Sequence, residues 1–159
     1  MDDSPDAQAD GRDETSDERA DRNWEELMQE LRVMQTGTQV LSGFLLAVAF
    51  QPRFTDLDDV QRGLYIVLVV LAALATILAL TPVSMHRVLF GKRRKPELVR
   101  FASRIVSADL AVVGALSVGV VTLVIDFALD RTIAVVFLIA GLVIVGILWA
   151  LVPALVRRS

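Results

Sequence analysis

The chain has no cysteine and a single histidine, His86, among its 159 residues. Without cysteine there is no disulfide framework, no thiol catalysis and no thiolate-ligated metal centre. One histidine is too few for an imidazole-based zinc site. A nucleophile–base pair, a glycine-rich phosphate loop and metal-ligand spacing are likewise missing. The chain is therefore read as non-enzymatic and without a cofactor. The opening stretch MDDSPDAQADGRDETSDERADR lacks the apolar segment of a secretory signal and the basic character of a transit peptide. It has almost nothing to bury, so residues 1–22 are expected to form a disordered acidic tail ahead of a membrane domain at 23–158.

What the chain does have is long apolar runs, with 54% of its residues hydrophobic. A transmembrane helix needs about 20 mainly apolar residues to cross roughly 30 Å of hydrocarbon. Four segments meet or approach this, at about 33–50, 63–85, 105–125 and 132–152. The second and fourth carry no charge and no polar face, which a soluble helix of that length would show. The expected fold is all-α: a polytopic membrane protein with four transmembrane helices.

The charges are segregated. Acids crowd the first 22 residues, and bases crowd the segment between the second and third runs, HRVLFGKRRKPELVRFASR. Lys and Arg near the ends of spans set orientation. The middle loop and the closing VRRS are the basic sides, so both termini are expected in the cytoplasm, N-in and C-in, with the protein in the plasma membrane. Lys92, Arg93, Arg94 and Lys95 are expected to attract anionic lipid, at about 1 kcal/mol each near the surface. No aromatic or glycine pattern accompanies this cluster, so nucleic acid is not an expected partner. Tyr65 and Trp149 are placed at opposite boundaries as an aromatic belt. Asn23 with Glu26, and Thr55 with Asp58, have the spacing of helix N-caps. Pro82 is expected to kink or end the second helix.

The first run starts with unusual polarity. On a helical wheel Gln29, Arg32, Gln35, Thr36, Gln39, Ser42 and Gly43 share one side, and Leu27, Met34, Leu41, Leu45 and Val48 the other. Two readings of the stripe Arg32, Gln35, Thr36, Gln39 and Ser42 stand: hydrogen-bonding glue between helices, or the lining of a wet path. On the third helix Ser107, Ala111, Ala115 and Gly119 recur every four residues, a spacing that lets helix backbones approach closely. That strip is the expected packing face, with Leu116 and Leu123 opposite it. Asp109 is the one acid inside a run. It is read either as an interfacial carboxylate or as a protonatable site. His86 is read either as an interface marker or as a proton shuttle.

The segments from Glu14 to Phe54, then LDDVQRGLY, TPVSMHRVLF and LVRFASR, resemble an uncharacterised family of small four-span membrane proteins found mainly in actinobacteria. The resemblance covers Glu14 to about Arg104, and beyond it only hydrophobicity matches. It implies a plasma-membrane protein and brings no catalytic residues; some relatives carry a sodium–proton antiporter label. The expected function is a membrane interaction or structural protein, self-associating or bound to a membrane partner. The alternative is a small oligomeric channel or ion/proton carrier using the polar stripe.

Overall fold

The computed structural model describes residues 15–89, 95–151 and 154–155, all of whose regular elements are helical. The chain runs through α1 (Ser16–Ala49), a 3-10 turn (Pro52–Asp56), α2 (Asp59–Leu89), α3 (Lys95–Ala128) and α4 (Arg131–Gly146), which continues into a π turn (Ile147–Leu151). Three segments are long and apolar enough to cross a membrane: Asp59–Met85, Val99–Ala128 and Arg131–Trp149. α1 is not among them. Its 34 residues extend about 50 Å, but Arg32, Gln35 and Gln39 dilute its apolar half.

The helix starts differ from those expected. α1 begins at Ser16, not at Asn23, so the segment 16–22 is helical. The reason is a capping box at Thr15: its hydroxyl accepts from the Glu18 amide, and the Glu18 carboxylate accepts from the Thr15 amide at 2.9 Å. The expected tail otherwise falls on residues 1–14, outside the described residues. At α2 the cap is Asp58 rather than Thr55. Asp58 Oδ1 accepts from the amides of Val60 and Gln61 at 2.9 Å each, and Gln61 Oε1 accepts from the Asp58 amide at 3.1 Å. Thr55 instead donates to the Pro52 carbonyl. Pro82 is fully buried and does not end α2, which continues to Leu89.

α3 is the hub. It packs against α1, α2 and α4, while α4 packs chiefly on α3. The buried positions on the first three helices follow alternating steps of three and four. On α1 they include Leu27, Leu31, Thr38 and Leu45; on α2, Leu68, Ala72, Ala75, Ala79 and Pro82; on α3, Ala102, Val106, Asp109, Leu116, Val120 and Leu123. This average of 3.5 keeps one seam facing inward. The expected packing face of α3 is thereby corrected, because Leu116 and Leu123 are buried while Ser107 and Ala111 are exposed. A strict four-residue repeat turns about 40° per step, so it winds off any single face.

The glycines show where that strip divides. A Cβ on Gly119 would collide with Leu68 of α2. A Cβ on Gly114 would lie 2.5 Å from the Trp149 ring, and one on Gly141 would lie 2.9 Å from Val118. Glycine at these sites sets the approach of α3 to α2 and to α4.

Two apolar cores result. One, near the 3-10 turn, gathers Leu45, Tyr65, Leu68, Leu116, Val120 and Leu123. The other, toward the far end, gathers Leu27, Leu31, Ala79, Ala102 and Val106. Tyr65 is part of the first core rather than of an exposed aromatic belt. Its hydroxyl donates to the Leu45 carbonyl at 3.0 Å, and its ring meets Phe54 edge-on at 5.0 Å. Beyond this core Arg131, at the start of α4, donates to Asp58 at 2.6 Å and to Asp126 at 3.2 Å. It ties the first turn of α4 to the cap of α2 and the end of α3.

Candidate functional site

Between the two cores lies a polar layer. Its level follows from the register of the cores. Leu31 clusters with Ala102 and Val106, and Leu45 clusters with Leu116 and Val120. Thr38 stands midway between those leucines on α1. Asp109 falls between Val106 and Leu116 on α3, and Ala75 falls between Ala72 and Ala79 on α2. All three are buried: Thr38 is 5% exposed, Ala75 1% and Asp109 1%.

Asp109 is the unusual member. Both carboxylate oxygens are buried and have no hydrogen-bond partner. The group lies about 15 Å along α3 from Val99. An interfacial carboxylate would reach for water, but the seam of α3 carries this one inward, on the face between Val106 and Leu116. An unpaired charge in such surroundings is costly unless something satisfies it.

The polar stripe of α1 lies beside this layer and borders a groove against α2. A cavity of about 40 Å³ is lined by Gln35, Thr38, Gln39, Ala75, Thr76 and Ala79. A second, of about 210 Å³, follows along the same two helices, with Ser42, Leu46, Ala73 and Thr76 in its wall. The smaller cavity exceeds the roughly 10–15 Å³ that a water needs. Small side chains on α2 leave this space, and polar side chains on α1 face it.

The structure thus brings Gln35, Gln39 and Ser42 together along one groove. Arg32 and Thr36 are exposed away from it, and the Thr36 hydroxyl donates to the Arg32 carbonyl at 3.0 Å. Among the described residues neither Gln35 nor Gln39 hydrogen-bonds to another helix. Thr38 joins the layer although it is not on the stripe; its place on the apolar side of the wheel, between Leu31 and Leu45, is the signal that locates it. Ala115 is half-buried. His86 lies within α2. Lys92, Arg93 and Arg94 lie outside the described residues, and Lys95 opens α3. No group of three His, Cys, Asp or Glu side chains suited to a metal ion occurs among the described residues.

Described elements that are all helical, three of them long and apolar enough to cross a membrane, place the chain in the helical membrane class. The family of unknown function DUF6328 matches residues 13–153, and the chain belongs to it. No curated protein and no solved structure matches.

Proposed function

We propose that the chain is a four-span plasma-membrane protein that works by association, principally with a second copy of itself, and not by covalent catalysis. In this reading α1 is the first span. Both termini and the basic segment Lys92, Arg93, Arg94 and Lys95 face the cytoplasm, where that segment meets anionic lipid. The bias of Lys and Arg toward this side supports the orientation.

The observation that carries the association is Gln39. Its side chain is exposed and makes no hydrogen bond to another helix. It lies about 16 Å along α1 from Phe50, near the middle of a bilayer. Lipid tails offer an amide no partner. A second copy does, because a twofold contact brings identical groups together, and paired amides satisfy each other's donors and acceptors. The cysteine-free background gives a direct test. Gln39→Cys should form a disulfide-linked dimer on mild oxidation in membranes, whereas Val135→Cys on α4 should stay monomeric. A monomeric mass in mild detergent, together with equal cross-linking at both sites, would reject the association.

A second reading is favoured by a separate observation, the two cavities along the α1–α2 groove, with an unpartnered acid buried on α3 at the level of the smaller one. Here the chain is a proton carrier or small channel whose wet path runs past Gln35, Gln39 and Ser42. Vesicles holding wild type or Gln39→Leu test it. Proton flux above that of protein-free vesicles, lost in the variant, supports the carrier; no wild-type flux rejects it.

A further inference from the structure

We propose that Asp109 is a proton-binding site enclosed within the bundle, at the level of Thr38 and Ala75. The inference rests on the carrier reading for its use, but on the geometry of one side chain for its existence. Three observations carry it. Asp109 occupies an inward position of the α3 seam, where its neighbours along the seam are apolar. Both its oxygens are shut away from water and unpartnered. A cavity large enough for water lies at the same level, with Thr38 and Ala75 in its wall.

The surroundings select the ligand. Among the described residues no charged side chain faces the carboxyl from the helices packed around it. α1 offers Thr38 and Gln35 at this level. Between Arg62 and His86 the one ionisable residue of α2 is Tyr65, whose hydroxyl is engaged by the Leu45 carbonyl in the first core, and Arg104 on α3 is exposed. The one ionisable residue of α4, Arg131, is at the other end of the bundle. No counter-charge is present, then, to hold the anion. A metal ion would need several more oxygen ligands than one carboxylate and one hydroxyl supply. A proton needs one oxygen, and it removes the charge whose burial is costly. The neutral carboxyl still has an O–H to donate, but no described α3 residue lines the α1–α2 cavity, so an acceptor reaches it only when the packing around it opens. Releasing the proton leaves an anion that this packing does not satisfy. The charged form must therefore admit water or a partner between α1 and α3, which couples proton occupancy to helix packing.

The test uses the full-length chain in lipid vesicles. Infrared difference spectra between low and high pH should contain a protonated-carboxyl stretch that is lost in Asp109→Asn. The same spectra from both proteins would overturn the site. Because Asp109→Asn could perturb folding, a measurement on wild type alone accompanies it. An apolar carbodiimide attacks protonated carboxyls within membranes, whereas a water-soluble one reaches exposed acids. Peptide masses should place the apolar reagent's adduct on Asp109 and the soluble reagent's adducts elsewhere. Adducts confined to exposed acids with both reagents would overturn the proposal. Vesicle flux is scored apart: a protonating Asp109 without flux sinks the carrier reading and leaves the site intact.

Discussion

α4 is the most apolar of the four helices, yet Ala134 is the one residue it buries. α1 is too polar to pass as a membrane segment by length and hydropathy, yet it places Leu27, Leu31 and Leu45 in both cores. Hydropathy and packing have therefore come apart. Hydropathy measures what a helix can expose to lipid. Packing depends on which side chains find a complementary surface, and lipid tails compete for apolar side chains as well as protein does. α1 is held by its buried seam, and α4 by close backbone approach along α3 and by one ion-pair cluster at its start.

The largest effect that could break this contrast is expected in a pair of leucine truncations. Leu45→Ala, on the polar helix, removes a side chain that is 1% exposed. It should cost about 2–5 kcal/mol, since it leaves a cavity. Leu142→Ala, on the apolar helix, removes one that is 49% exposed, and it should stay within about 0.5 kcal/mol. Reversible unfolding in mixed detergent micelles measures both. Similar losses would mean that α4 packs on something as tightly as α1 does.

The next effect sharpens how α4 is held. Gly114→Ala places a methyl against the Trp149 ring and should cost about 1–3 kcal/mol through overpacking. Gly146→Ala, with nothing within 4 Å, should be neutral or slightly stabilising. Trp149 fluorescence should respond to the first substitution and not to the second. If it shifts equally in both, the ring does not sit on Gly114.

The smallest effect concerns the ion-pair cluster. The hydrogen bond from the Gln61 amide, helped by Arg131, holds the Asp58 carboxyl below the usual carboxylate range. A depressed folded-state value contributes stability that is complete above the unfolded value, about 4. That contribution is lost as the pH falls through the lower folded value. Unfolding midpoints should therefore drop below about pH 4 by more in wild type than in Asp58→Asn, which keeps a capping oxygen without the titration. Arg131→Gln should lower stability modestly, and by less in high salt, because Arg131 and Asp58 are about half exposed although Asp126 is buried. An identical acid response in wild type and Asp58→Asn would show that the Asp58 carboxyl titrates alike in the folded and unfolded states.

Much of the fold was legible from local chemistry. The apolar runs mark α2, α3 and α4, and the wheel of α1 separates Leu27, Leu41 and Leu45 from Gln35 and Gln39 because that helix has two unlike faces. The caps were harder to read. ETSDE and DLDDVQ each hold several residues able to cap, and which one does so depends on where the chain leaves the preceding segment. At α3 the reading placed Leu116 and Leu123 outside and the Ser107 strip inside. Along residues 105–125 leucine, valine and alanine occur on every side, so within that stretch apolarity does not single out the inward face. Asp109 was visible as an intramembrane acid, but its direction followed from the wrong phase.

The sequence by itself determined the helical class, the membrane-length apolar character of α2, α3 and α4, the segregation of acid from base and the two-sided character of α1. These are sums and contrasts along the chain, and they need no partner surface. Only the tertiary structure decided that α3 is the hub, that Gly114 and Gly119 face different helices, and that Asp109 lies unpartnered between two cores. The reason is physical. In water, exclusion of apolar surface would write the buried face of a helix into its pattern. A helix among lipid tails has apolar residues all round, so its inward face is selected by the fit of side chains such as Leu68 against Gly119 and Trp149 against Gly114.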